Sequence, residues 1–580
     1  MVHFIERIQL LMAALLILTI LLPLAGGVAL LAGQKALDRN TARKLALGTV
    51  LATLFIGLPL HLAFDPSISG PQFAFGKAGA WGLPWIGSPD IRLSFGLDGL
   101  SLGLFSLTNV LMISAVCASW ESIKERAPLH YALLLLLHSG LLGLFAALDV
   151  VLFYIFFEFT LIPLFFLVGI YGGPDRRKAS VTLFVYTIVG GMLTLMGVLL
   201  IVALHAQYGP GQRLTFSIPE ITEGLRAMKW DPWLSESIWG WQTLIFLLLF
   251  AGFAIKVPLF PFHSWLPLAH VEAPTAGSIL LAGVLLKVGG YGLIRFNLGM
   301  TPIGAKVLFP LLATLAVAGA IYGALAALAQ KDIKRLVAYS SVSHMGIICL
   351  GLFAMNSTGI SGAAIQMINH GLTTGALFAC VGVVYERYHT RDMSALGGLW
   401  NRMPKLAFFL IIASLGSVAL PGLNGFIGEF PILVGMYKTS PVAGSLAATS
   451  MVLGAFYTFW MIQRVIFGPL REPGHGHGTH LESGHSEHHH DHAADHSADH
   501  GDGHHHDHKP VRIDPLAWYE ILGLTPLIVF IVLIGIRPGY FTRPLNEPIE
   551  KMAGGFAGTK VAAQPANSAK ILLGSASASE

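Results

Sequence analysis

Charge is scarce in this sequence: 12% of its 580 residues are Asp, Glu, Lys or Arg, against 54% that are hydrophobic. One soluble core cannot hide that much apolar sequence, so the composition excludes a soluble globular domain and indicates a polytopic membrane protein. Cysteine is scarce too. Cys117, Cys349 and Cys380 stand alone inside apolar segments; with no paired spacing they suggest neither an iron–sulfur nor a zinc site and read as small buried hydrophobes. The sequence also lacks a glycine-rich dinucleotide fingerprint between strand and helix, and a helix with paired-histidine haem spacing. No electron transfer is therefore expected within this chain. The first apolar segment, Ile8 to Gly33, is too long for the apolar core of a cleavable signal peptide and has no small-residue cleavage pattern, so it reads as a retained helix.

What is present is a succession of apolar stretches. About 20 apolar residues cross the hydrocarbon core, and a sliding window gives about fourteen spans: 8–33, 42–64, 100–119, 130–148, 150–171, 180–204, 241–264, 275–296, 304–329, 336–354, 361–385, 406–435, 443–467 and 517–536. The tenth, 336–354, is the weakest. Basic residues cluster in alternate loops: Lys35, Arg39, Arg43 and Lys44; Lys124 and Arg126; Arg176 to Lys178; Lys331, Lys334 and Arg335; Arg387, Arg391, Arg402 and Lys405. The positive-inside rule puts that side in the cytoplasm and both termini outside. Segment 65–99, rich in Gly and Pro, reads as an irregular exterior loop.

The few charges inside the spans carry the functional argument, because an ammonium or carboxylate at bilayer depth costs several kcal/mol unless it faces protein or water. Glu158 in YIFFEFTLIP lies about 10 Å deep by helical rise from Val151. Lys256 in FAIKVPLFPFHSW sits where Pro258 and Pro261 break the helix, and broken backbone is tolerated at that depth only when packed by protein or lining a wet cavity. Lys287 lies mid-span in GVLLKVGGYGLIRF, where Gly283, Gly289, Gly290 and Gly292 allow close helix approach; Arg295 is expected to snorkel to the interface. SSVSHMG carries His344 among hydroxyls, NHGLTTG carries His370, and histidines titrating near neutrality can relay protons. In SLGSVALPGLNGFIGEFPIL a second proline–glycine break stands beside Glu429. The bland readings are a neutral, hydrogen-bonded Glu158, proline kinks that serve packing, and satisfied core histidines. Interrupted spans at matching positions in two halves point instead to inverted repeats, spans four to eight and nine to thirteen, with a path at the midplane.

The stretches FAIKVPLFPFHSWLPLAHVEAPTAGSILLAGVLLKVGGYGLIR, KRLVAYSSVSHMG and LNGFIGEF closely resemble the antiporter-like subunits of the proton-pumping NADH:quinone oxidoreductase, respiratory complex I, over about residues 95 to 470. The glutamate at the second break resembles the middle subunit, chain M or mitochondrial chain 4, and the absence of a long amphipathic helix after the last span speaks against the L branch. Leu268 stands where some members carry an acid, and no role is assigned there. The resemblance implies that Glu158 pairs with Lys256, that Lys287 bridges, that His344 and His370 belong to a central polar axis, and that Glu429 is the distal proton site. NADH, FMN, iron–sulfur clusters and quinone would then reside in partner subunits, with no cofactor in this chain. Partners would be other complex I subunits, sister antiporter-like chains included; nothing suggests nucleic acid. The location would be a bacterial inner membrane.

A free lysine titrates near 10.4; desolvation lowers that value and a nearby carboxylate raises it, so moving Glu158 relative to Lys256 could switch the lysine between holding and passing a proton. The expected fold is thus an all-α polytopic membrane protein of about 14 transmembrane helices, with two inverted five-helix repeats containing broken helices. Its expected layout is helices one to three with the exterior loop over 1–129, the first repeat over 130–300, the second over 301–470, a His-rich disordered cytoplasmic loop over 471–512, the last helix over 513–540 and a disordered tail over 541–580. Fourteen histidines between His475 and His508 make that loop either a solvated linker or a weak binder of zinc, nickel or copper. Two other functions are open: an Mrp-type cation/proton antiporter subunit, which shares the lysine-bearing helices, and a metal transporter, which the intramembrane inventory disfavours.

Overall fold

The computed structural model describes residues 2–76, 82–87, 89–228, 240–472 and 515–557. The chain runs α1 (Val2–Ala32), α2 (Arg39–Ala63), a hairpin of β1 (Leu83–Ile86) and β2 (Ile91–Leu93), α3 (Gly99–Ala118), α4 (Ala127–Ala146), α5 (Val150–Phe159), α6 (Leu161–Tyr171), α7 (Arg176–Tyr208), α8 (Ile218–Ala227), α9 (Trp241–Lys256) and α10 (Trp265–Glu272). The composite helix α11 (Thr275–Leu298) follows. Then come α12 (Pro302–Val307), α13 (Phe309–Leu328), α14 (Ile333–Phe353), α15 (Ser357–Tyr388), α16 (Pro404–Ser417), α17 (Asn424–Thr439), α18 (Pro441–Val465), α19 (Trp518–Ile536) and α20 (Pro538–Ala557).

Among the described residues, twelve helices are long and apolar enough to cross a membrane; α9 and α16 are apolar but shorter. The difference from fourteen has a structural reason, since each short helix is the first half of a broken span. α11 and α15 form the centre, with their apolar windows wholly buried. α15 packs on α3, α11, α14, α17 and α19. The three cysteines are buried and free.

Two halves of the chain repeat the same hydrogen bonds. After α9, the N–H of Val257 bonds Phe253 O, Leu259 bonds Ala254 O and Phe262 bonds Leu259 O. After α16, Val418 bonds Ser414 O, Leu420 bonds Leu415 O and Leu423 bonds Leu420 O, in the same order and spacing. A helix that stops leaves its last carbonyls without partners, and here both stops satisfy them locally. The helices five crossings apart also start alike: Asp149 caps α5 at Val151 N and Leu152 N, and Asp332 caps α14 at Lys334 N and Arg335 N. An odd number of crossings puts the two starts at opposite ends of the bundle, as inverted repeats require.

Several expectations are corrected. Span 336–354, the weakest by sequence, is borne out as the well-buried helix α14, while the following differ. Span 150–171 divides at Thr160 into α5 and α6, and 304–329 divides near Leu308 into α12 and α13. Segment 65–99 contains the β1–β2 hairpin. The tail is not irregular from 541: α20 runs to Ala557, and Leu545, Ile549, Met552 and Phe556 form a buried stripe at helical spacing. An amphipathic helix of 20 residues therefore does follow the last span. Its polar partners, Glu223 of α8 on Lys551 and Ser69 of the loop after α2 on Glu547, lie far away in sequence, where periodicity cannot connect them to it. The histidine loop and residues 558–580 lie outside the described residues.

Arg295 does not snorkel. Its guanidinium lies 2.6 Å from Asp98 Oδ2 and its Nε donates to Tyr291 OH at 3.1 Å. Asp98 also accepts from Ser101 N at 2.9 Å, capping α3. The pair ties α3 to the end of α11, and side-chain exposures of 13% and 21% leave little water to replace either partner. Asp98→Asn keeps a capping residue but strands the guanidinium, and is expected to lower stability by roughly 3 kcal/mol. Thermal unfolding of the detergent-solubilised protein should show the loss, and Asp98→Asn with Arg295→Met should recover most of it.

Candidate functional site

The polar groups of the core fall into two clusters. The first is built at the α5–α6 junction. Pro163 lacks the N–H that would bond back to Phe159, so the helix bends there. Thr160 Oγ1 donates to Phe157 O at 2.9 Å, and Lys256 Nζ donates to the same carbonyl at 3.1 Å. The ammonium also stands 3.4 Å from the centroid of the Phe157 ring, close enough for a cation–π contact. Lys256 is 7% exposed and ends α9, where the helix dipole presents partial negative charge to a cation. The carbonyls of that terminus are otherwise occupied: Phe253 and Ala254 by the backbone of the break, Ile255 by Trp265 Nε1 at 2.9 Å.

Glu158 lies beside this lysine without a direct ion pair to it among the described residues. Its carboxylate contacts the Tyr154 hydroxyl, Oε1 has no hydrogen-bond partner, and the oxygen occupies the space that a Cβ on Gly191 would fill. Glycine at 191 is thus what seats the carboxylate.

The second cluster is larger, two hydrogen-bonded pairs whose histidine rings face each other. α11 contains two π segments, Leu281–Leu285 and Leu293–Leu298. Such wide turns often mark functional positions because they disturb the backbone ladder. Lys287 follows the first, fully buried, and its Nζ donates to Ala282 O and meets His370 Nδ1 at 2.6 Å. The His370 and His344 rings lie 5.5 Å apart. His344 Nδ1 is 2.9 Å from Glu429 Oε1, which also accepts from Gln366 Nε2 at 3.0 Å. Asn369 orients that glutamine by donating to its Oε1 at 3.1 Å. His344 Nε2 faces Ser417 Oγ at 3.2 Å and Tyr457 OH at 3.5 Å. A cavity of about 10 Å³ beside Glu429 and His344 has room for about one water.

Glycines let α11 reach its neighbours. A Cβ at Gly289 would meet Val257 and the Phe253 carbonyl, and one at Gly292 the Phe253 ring, so α11 lies directly on α9 near Lys256. Gly290 packs against Met367 and Gly283 against Leu111.

Of the six residues singled out from sequence, Lys287, His370, His344 and Glu429 come together in one line. Glu158 and Lys256 sit near each other at its side. Gln366, Ser417 and Tyr457 had not been anticipated; the first two stand close to polar motifs, but Tyr457 lies in an apolar helix with no local signal. His270 was missed as well: it is fully buried, stacked on Phe378 at 4.7 Å, with neither ring nitrogen hydrogen-bonded. Lys334, counted from sequence among the basic loop residues, is buried and donates to Ala273 O at 2.6 Å and Val271 O at 3.3 Å. It lines a cleft of about 640 Å³ with Glu121, Glu272, Glu386 and Arg391, at the end of the bundle rich in basic loops.

Buried, linked lysine, histidine and glutamate in a bundle with two broken helices define a class: an antiporter-like membrane subunit with a charged axis. The sequence model of the family described as NADH:quinone oxidoreductase/Mrp antiporter, TM, matches residues 147–454. NADH-quinone oxidoreductase subunit M of Rhodobacter capsulatus is 41% identical over 466 residues, covering 79% of this chain and 87% of that protein. NADH-ubiquinone oxidoreductase chain 4 of Chondrus crispus is 38% identical, with 79% and 88% covered. A chain of the respiratory complex I from Thermus thermophilus with bound NADH superposes with a TM-score of 0.76 at 31% identity, over 94% of this chain and 100% of that one. A chain of the Mrp complex from Dietzia sp. DQ12-45-1b shares the fold, with a TM-score of 0.73 at 18% identity, over 94% and 98%. The chain belongs to the antiporter-like membrane subunits of NADH:quinone oxidoreductase, in the subunit M and chain 4 branch, and is a multi-pass, proton-translocating membrane subunit of the complex I type.

Gly191→Ala is expected to push Glu158 out of its seat and slow proton transfer by roughly tenfold, the equivalent of about 1.4 kcal/mol. Pumping assays in membranes that also quantify the assembled complex check this. Unchanged pumping would show that the seat of Glu158 is immaterial.

Proposed function

We propose that this chain carries protons laterally along Glu158, Lys256, Lys287, His370, His344 and Glu429, coupled to quinone reduction in partner subunits of NADH:quinone oxidoreductase. The observation that supports it most is the second cluster, where Lys287 is hydrogen-bonded to His370, His344 to Glu429, and the two histidine rings lie 5.5 Å apart. An ammonium at Lys287 requires His370 Nδ1 to be the acceptor, which places the neutral ring's proton on Nε2, an atom without another hydrogen-bond partner. Transfer of a proton from Nζ to Nδ1 leaves a neutral amine and an imidazolium; release from Nε2 toward His344 leaves the neutral ring as its Nδ1–H tautomer, which must return to the Nε2–H form before the next transfer. His344 stands next, with its Nδ1 on Glu429. Glu158 acts earlier, by setting how strongly the ammonium form of Lys256 is favoured. Relocation of charge at the first cluster is felt at the second because α9 and α11 are in direct contact and the dielectric between them is low.

In this reading NADH, FMN, iron–sulfur clusters and quinone belong to partner subunits, and the chain has no redox centre of its own. Those partners include sister antiporter-like subunits. The complex lies in a bacterial inner membrane with both termini of this chain outside and the histidine loop in the cytoplasm. Co-purification of NADH-binding and iron–sulfur subunits supports it; their absence favours an Mrp-type cation/proton antiporter.

Lys287→Met and His370→Ala are each expected to cut proton transfer about a hundredfold or more, the usual worth of a positioned acid or base. Dye quenching in inverted vesicles, normalised to NADH oxidation, measures it. Full pumping by both Lys256→Ala and Glu158→Ala would sink the assignment of the first cluster.

A further inference from the structure

Away from the charged axis, α2, α3, α19 and α20 enclose an apolar cleft of about 290 Å³, walled by side chains such as Leu54, Leu58, Phe105, Phe530 and Phe541. Leu62 and Leu533 on its edge are 69% and 41% exposed, so it opens sideways to where acyl chains would lie. Its other end continues, through His61, Leu62, Leu102, Tyr540 and Pro544, into a wider basin of about 740 Å³ rimmed by Arg537 and Arg543. Arg537 follows directly on the apolar helix α19, and Arg543 lies in the second turn of α20. Both are exposed, and among the described residues neither has a carboxylate partner. His61 adds a ring nitrogen, Nδ1, that is buried without a hydrogen-bond partner, and its ring lies 5.7 Å from that of Tyr540.

An occupant complementary to this shape is apolar for most of its length and anionic at one end, the end level with the close of a membrane-spanning helix. We propose that the cleft holds an anionic phospholipid, with an acyl chain between α2, α3 and α19 and its phosphate between Arg537 and Arg543. A quinone matches the apolar part but presents a neutral head to two guanidiniums. The inner wall of the cleft gives the lipid a route to function, because Ile368 and Leu372 lie within two residues of His370 on α15. The lipid would thus brace the helix that carries the relay histidine. The inference stands apart from the proton path, since it rests on the cleft and its two arginines alone.

The test uses the whole complex reconstituted with a photoactivatable phosphatidylglycerol. Cross-links are expected in 54–62 and 530–541. Competition should come from unlabelled phosphatidylglycerol and not from phosphatidylcholine, ubiquinone or inorganic phosphate. A basic side chain near an anionic headgroup contributes roughly a five-fold gain, so Arg537→Gln with Arg543→Gln should weaken labelling about thirty-fold. Leu58→Trp, which fills the apolar part and leaves the arginines, should also abolish it. Equal labelling by a phosphatidylcholine probe, displacement by ubiquinone or phosphate, labelling unchanged in the double variant, or cross-links from these segments to a neighbouring subunit would each overturn the proposal.

Discussion

A lysine with no exposed surface, Lys287, is the constraint on which the rest of the bundle depends. Removing an ammonium from water costs several kcal/mol even after relaxation, and only good geometry with further hydrogen bonds offsets it. The chain supplies both within a few residues. The π segment before the lysine brings Ala282 O within reach of Nζ, and His370 provides the second acceptor. Neither works unless α11 and α15 approach closely, and the glycines along α11, with Gly371 against the Gly283 carbonyl, make that approach possible. The fully buried centre of the protein and its polar axis are therefore one solution to one problem.

The broken helices answer a related problem. Ending a helix inside a membrane exposes carbonyls to hydrocarbon unless other donors reach them. Both breaks use the same backbone turn, and at the first one an indole N–H completes the set. Once the ladder is closed, each break can present chemistry: α9 ends on an ammonium, while α17 begins on Asn424 and offers Glu429 in its second turn. Asn369 and Asn424 exchange side-chain to backbone hydrogen bonds, at 2.7 and 3.2 Å, and lock the second break to α15. The repeat is therefore visible in hydrogen-bond pattern more plainly than in residue identity.

Most of the architecture could be read from the sequence because membrane helices write themselves in long apolar runs, and breaks in proline and glycine. Charged residues inside those runs are expensive enough to be conspicuous, which is why Lys287, Glu429 and the two histidines could be named in advance. What escaped were features set by distant contacts. Arg295 meets Asp98 only because the loop before α3 folds back; Lys334 is buried only because the α10–α11 junction supplies carbonyls; Tyr457 faces His344 from an otherwise apolar helix. The amphipathic α20 escaped for a different reason, since Pro544 and Pro548 inside it are ordinarily helix-breaking signals.

The acids at the two ends of the proposed path are held differently. Glu429 is fixed by an imidazole and by an amide that is itself oriented by Asn369, a two-layer arrangement with little freedom. Glu158 has one free oxygen against a glycine, and Lys256 is held by a carbonyl and a ring face instead of a carboxylate. Contacts with the Phe157 carbonyl and ring hold the lysine in place without a carboxylate. On the proposed path, a loosely held acid at one end and a clamped acid at the other would make the first cluster the place where a conformational change in a partner is converted into proton movement, and the second the place where that movement is guided.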